Sequence, residues 1–201
     1  PRVADRLFIN RHIILEFGAA AYNRKKMNRV SCLVPGVMAQ TGMESAEIVR
    51  GVVKETKPDL VVAVDALAAR STKRLNRTIQ VTDTGINPGS GVGNHRHALD
   101  EKSLGVPVIS IGVPTVVDAA TIVNDTMYNL VTALTQSQAF AAMGNSLEKL
   151  NDAEKYELIR ELLSPNLNAM FVTPKDIDES VKRLCYTISE GLNLAFAGGC
   201  L

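Results

Sequence analysis

Asp65 closes a run of five apolar residues, Leu60 to Val64, and is followed by Ala66-Leu67-Ala68-Ala69-Arg70-Ser71. A carboxylate between such neighbours is partly desolvated, which raises its pKa, while a guanidinium at Arg70 would lower it again. A group so placed can exchange a proton with a water or a peptide bond; it can equally cap a following helix. The loop from Asp83 to Asn94 holds Gly85, Gly89, Gly91 and Gly93. Glycines at this density let a backbone pass close to a ligand. Neither a Gly-Lys-Ser/Thr ending nor a GxGxxG opening is present, so a phosphate cradle is not indicated. Asp83, Gly89 and Gly91 are therefore read as lining a structural or substrate-facing loop.

His95 and His97 follow that loop at alternate positions, a spacing at which two imidazoles on a strand can share a metal. No third ligand has fitting spacing, so solvated histidines are the plainer reading. Asp118 follows a second apolar run and either faces the same crevice as Asp65 or caps the next helix, the latter being favoured. The Asp83-Thr84-Gly85 triplet occurs in aspartic proteases of all-β fold, which this chain does not resemble in pattern. No Ser or Cys stands in a nucleophile elbow.

These residues need a scaffold. Val3, Leu7 and Ile14, with Gly18 as a stop, predict one helix from the start of the chain. A polar loop follows from Tyr22 to Arg29, then a short strand from Val30 to Val34. Ala46, Val49 and Val53 predict a helix capped by Thr41 or Ser45. Leu60 to Val64 is apolar at consecutive positions, as in a strand buried on both faces of a parallel sheet. Further strands are predicted over Thr78 to Val81 and Val106 to Ile111, and helices over Ala119 to Leu134 and Asp152 to Leu163. A last helix starts at Thr173-Pro174 with its stripe at Ile177, Val181, Leu184, Ile188 and Leu192. The alternation predicts an α/β chain: a three-layer α/β/α sandwich around a mainly parallel sheet. Asp65 should then stand at the carboxyl end of a central strand, facing a cleft shared with the Gly85 to Gly93 loop.

The 201 residues are 46% hydrophobic, with 22 Lys and Arg against 21 Asp and Glu. That supports one core-bearing domain, and a near-neutral balance offers no long-range attraction to nucleic acid or membrane. No apolar run reaches the ~18 residues of a membrane helix. Cys32, Cys185 and Cys200 lack metal-ligand spacing and suit a reducing, cytoplasmic compartment.

Four long blocks carry a resemblance: VPGVMAQTGMESAEIV (34–49), KPDLVVAVDALAARS (57–71), DTGINPGSGVGN (83–94) and LGVPVISIGVPTVVDA (104–119), resumed in NAMFVTPKDID (168–178) and GLNLA (191–195). The chain resembles the germination protease family of spore-forming bacteria. The resemblance implies a homotetrameric endopeptidase, made as a zymogen, that digests small acid-soluble spore proteins in the spore core. It also implies a fold similar to hydrogenase-maturation proteases. Two aspartates are catalytic in the family. One falls on Asp65; the other belongs to a TPDALGP segment whose last proline corresponds to Pro1. Residues 1–201 are accordingly expected to form one peptidase domain, incomplete at its N-terminus and around 135–150, where the family carries a longer connection. His95 and His97 stand where the family has basic residues, which fits contact with acidic substrate or a neighbouring subunit. Two alternatives accompany this reading. In one, the same carboxylates hold a divalent metal that activates water; in the other, the chain is a non-catalytic peptide-binding module.

Overall fold

The computed structural model describes residues 2–25, 27–89, 97–148, 151–163, 167 and 169–197, with the side chains at 146–148 and 197 set aside. It is a mixed α/β chain built on a four-stranded open sheet. The helices are α1 (Arg11–Phe17), α2 (Met38–Thr41), α3 (Ser45–Thr56), α4 (Glu101–Leu104), α5 (Ala119–Gln136), α6 (Ala141–Glu148), α7 (Asp152–Leu162) and α8 (Ile177–Ala197). The strands are β1 (Val61–Ala69), β2 (Gln80–Thr82), β3 (Val108–Asp118) and β4 (Phe171–Val172).

The strand order is β1-β3-β2, with β4 also paired to β3. The β1–β3 pairing is parallel, whereas β2 and β4 run antiparallel to β3. The sheet is thus mixed, not mainly parallel, and β3 is its central strand. β3 is buried at most positions, including Val108, Ser110 to Pro114 and Val117. Its register with β1 slips once: Leu67 faces Pro114, but Ala68 faces Val116. Proline brings no N–H to the ladder, so a bulge forms where it stands. The carbonyls released there are used at once. That of Pro114 accepts from the Asn76 amide at 2.8 Å, and that of Thr115 accepts from the Thr173 hydroxyl at 2.9 Å.

Alternation along a strand sends neighbouring side chains to opposite faces. Val61 and Ala63 pack with a cluster of Ala46, Leu99, Leu104 and Val108. Val62 packs with Val3, Ile111, Val113 and Ile188, over which α8 lays Leu184 and Leu192. The two-sided burial read from the sequence therefore holds for the first half of β1. It fails at Val64, which is 39% exposed, and at the exposed Ala66.

Three boundaries also differ. The expected first helix is a 3₁₀ turn (Ala4–Arg6), a break, and α1. The break is made by Asn10, 1% exposed, whose carboxamide accepts from Val30 N–H at 2.7 Å and donates to the Asn28 carbonyl at 3.0 Å. A buried Asn bonded to backbone in this way competes with helix hydrogen bonding. The same contacts occupy Val30, and no strand forms over 30–34. Glu44, not Thr41 or Ser45, caps α3, through a reciprocal box with Glu47. The last helix begins at Ile177, after a turn closed by its N–H on the Pro174 carbonyl.

Ile188, 6% exposed, is a core residue of α8, while Leu194 on the same helix is 62% exposed. Ile188→Ala is expected to cost about 2–5 kcal/mol and Leu194→Ala only tenths. Urea unfolding of both variants checks this: equal losses would show that the α8 stripe is not the core face.

Candidate functional site

Asp65 sits at the middle of β1, not at its end, and β1 is an outer strand of the described sheet. Its register partner is Gly112, whose own neighbour across the sheet is Gln80. The strand that carries the carboxylate is held flat on β3 here by an absence. A Cβ at Gly112 would overlap the Leu67 side chain, so only glycine lets Leu67 lie across β3. The half-buried Asp65 turns its Oδ1 back to accept the next amide, Ala66 N–H, at 2.8 Å.

The other residues singled out in the sequence lie elsewhere. Arg70 is exposed just beyond the end of β1, five residues along, roughly 16 Å away at the rise of a strand. It does not bear directly on Asp65, because an extended chain separates what a helix would have stacked. Asp118 ends β3, six residues past Gly112 and roughly 20 Å along it. Its carboxylate caps α5, accepting from Thr121 N–H at 2.6 Å and from the Tyr156 hydroxyl at 3.4 Å. Burial and the Asp118 charge push the Tyr156 phenol up. Asp83 is exposed and follows β2, past the pairing of Thr82 with Ser110, on the side away from Gln80.

The loop after Asp83 is placed by its glycines. Gly85 has φ +83 and a Cβ there would strike the Leu99 carbonyl and Asp100; beside it, Ile86 bridges to Leu99. Ile86 thereby joins the cluster of Leu99, Leu104 and Val108, with Val61 and Ala63 on the sheet face that also carries Asp65. Gly89 adopts φ +76. Gly91 and His95 lie outside the described residues. His97 is bonded to Glu44, with Nδ1 at 2.8 Å and its amide at 3.2 Å from the same oxygen. The cap of α3 and the end of the glycine loop are tied by that one carboxylate.

Two features had no local signal in the sequence. Asp125 of α5 receives the Thr72 hydroxyl at 2.6 Å, the Thr72 amide at 2.7 Å and the Ser71 hydroxyl at 3.1 Å. The clamp pins the residues that follow β1, across 53 positions of chain. Burial pushes the Asp125 carboxyl up, but these donors outweigh it and hold it below the ordinary range. The second feature is Ser110, 1% exposed, whose hydroxyl has no partner. It occupies the same sheet face as Asp65, one pleat back along β3. Among the described residues, no three His, Cys, Asp or Glu side chains converge in a metal-sized cluster.

Comparison with known proteins identifies the lineage of this scaffold. The family model described as germination protease matches residues 1–139 and 133–199, and the chain belongs to that family. A germination protease of Caldanaerobacter subterraneus is 48% identical over 204 residues, covering 99% of this chain and 61% of its own length. One of Clostridium perfringens is 43% identical over 196 residues, covering 97% and 60%. One of Bacillus subtilis is 40% identical over 230 residues, covering 97% and 61%. The chain spans about three-fifths of the length of these curated relatives. The longer Bacillus alignment, for the same share of this chain, means that the Bacillus protein carries an insertion that the clostridial one lacks. No helix among the described residues is long and apolar enough to cross a membrane.

The Asp125 clamp predicts a pH signature. A carboxyl whose folded pKa is depressed contributes stability above its unfolded pKa of about 3.9 and loses it as pH falls through the folded value. Asp125→Ala is therefore expected to cost about 1–3 kcal/mol at neutral pH. That cost should shrink below about pH 4. Denaturant curves of both proteins across this range check it; a cost independent of pH would mean the clamp does not depend on the ionised carboxylate.

Proposed function

We propose that this chain forms the greater part of an endopeptidase that degrades small acid-soluble spore proteins at germination, with Asp65 as one of two aspartates acting on water. The observation that carries this reading is Asp65 itself, within the VDALAARS block of a chain that belongs to the germination protease family. Its carboxylate is half-buried, accepts from the Ala66 amide and stands on a strand paired to β3.

In this mechanism one carboxylate is ionised and takes a proton from the attacking water. The other is protonated and delivers its proton toward the departing amine. Two carboxyls brought together split their pKa values, because both cannot ionise at contact distance. The partner aspartate is that of the TPDALGP segment which the family resemblance implies, and the two carboxyls divide the ionised and protonated roles between them. The two core clusters on alternate residues of β1 support a three-layer α/β/α arrangement similar to that of hydrogenase-maturation proteases. Synthesis as a zymogen, self-association as a homotetramer and action in the cytoplasm of the spore core complete the proposal.

Asp65→Asn in the full-length enzyme tests it. The amide preserves shape and removes the proton acceptor, so turnover of a spore-protein substrate should fall by at least about a thousandfold. Circular dichroism and urea midpoint should remain close to those of the parent. Substantial turnover in a normally folded variant would remove Asp65 from the mechanism.

A further inference from the structure

Three strands meet in one row of the sheet at Gly112. Asp65 of β1 pairs with it on one side and Gln80 of β2 on the other. Residues paired across a sheet project to the same face, so the carboxylate and the carboxamide rise from one surface. The packing agrees with this assignment of faces. Ile79, the residue before Gln80, joins Val62, Ile111 and Val113 in the cluster beneath α8. Strand alternation then sends Gln80 to the opposite face, the one that carries Ala63 and Asp65. Glycine at 112 contributes no side chain between them, and Leu67 lies across it as an apolar floor.

Gln80 is exposed, and its carboxamide makes no hydrogen bond among the described residues. The nearest polar groups on the same face of β2 and β3 are not comparable donors. The Thr82 hydroxyl is engaged with that of Thr84 at 2.8 Å, and Ser110, paired with Thr82, is buried. Two strand spacings set the Asp65 and Gln80 backbones roughly 10 Å apart. Side chains leaning inward from each narrow the gap between carboxylate and amide to roughly 5–7 Å. That width accommodates a peptide carbonyl and an attacking water, each hydrogen-bonded outward at about 2.8 Å.

We infer that Gln80 is a further catalytic residue, whose Nε2–H donates to the carbonyl oxygen of the scissile peptide bond. The inference rests on the two-aspartate reading above and fills a role that reading leaves unassigned. As the water oxygen bonds to the carbonyl carbon, the water's proton passes to the ionised carboxylate and the C=O electron pair moves onto oxygen. The Gln80 amide holds that negative charge without transferring a proton. When the C=O bond re-forms, the C–N bond breaks and the protonated carboxyl supplies the proton of the departing amine. An uncharged donor suits this row. A lysine or arginine in its place would be drawn to Asp65 itself and not to the substrate oxygen.

Steady-state cleavage of a spore-protein substrate by the full-length enzyme tests this, with Asp65→Asn assayed in parallel. Gln80→Ala should lower kcat by about a hundredfold and leave KM within about threefold, as for loss of one oxyanion donor. Gln80→Glu keeps the shape but loses the donor at neutral pH, and its kcat should fall at least as far. Gln80→His retains a neutral N–H and should recover about tenfold over the alanine variant. Circular dichroism and urea midpoints should match the parent, because the side chain is exposed. Should Gln80→Ala fail to fold, the near-isosteric Gln80→Glu decides. Parent-like kcat in folded Gln80 variants, beside an inactive Asp65→Asn, overturns the role of Gln80 alone. A raised KM at unchanged kcat also overturns it, since Gln80 would then hold substrate and transition state equally. An active Asp65→Asn overturns the reading beneath it and the Gln80 assignment together.

Discussion

Pro114 has no N–H to give, and β3 is the strand to which every other strand is paired. The long parallel ladder with β1 therefore cannot run uninterrupted. It holds register from Val61 to Leu67, skips Thr115, and resumes at Ala68. The two carbonyls freed by the skip draw in the remote segments that contain Asn76 and Thr173. The turn after β1 and the approach to α8 are thus positioned by a single missing donor in the central strand. Asp65 sits two residues before the interruption, in the last regular stretch of the ladder.

The chemistry of the strand depends equally on what is small. Gly112 leaves the space that Leu67 fills, and the same row of the sheet carries Asp65. Downstream, Asp125 gathers three donors from Ser71 and Thr72, so the strand is fastened at both the bulge and its exit. Ser110 runs against the pattern: a buried hydroxyl without a partner destabilises its surroundings, and nothing in the structure accounts for it.

The segment 8–43 and the elements from α3 onward are held in different ways. Helices α3, α4 and α8 bury apolar residues against the sheet, and α6 and α7 pack on α5, whereas residues 8–43 are tied on by polar contacts through Asn10 and Asn28. Hydrogen bonds of this sort fix a path without supplying much stability, since each replaces a bond to water.

Much of this was legible in the residues. The long helices α5, α7 and α8 follow from regular 3.6-residue stripes, and β1 and β3 from consecutive β-branched residues, because local periodicity reports which faces will be buried. The blocks around Asp65 were also enough to place the chain in its family. Tertiary contacts decided the rest. That Asp65 stands mid-strand, that β2 and β4 run antiparallel, and that Asn10 breaks the first helix all follow from partners distant in sequence. The Asp125 clamp spans 53 residues and the Asn10 contacts about 20. Arg70 and Asp118 looked close to Asp65 only along the chain or by analogy of position; an extended backbone moves each residue about 3.3 Å further away, so sequence proximity within a strand becomes distance in space.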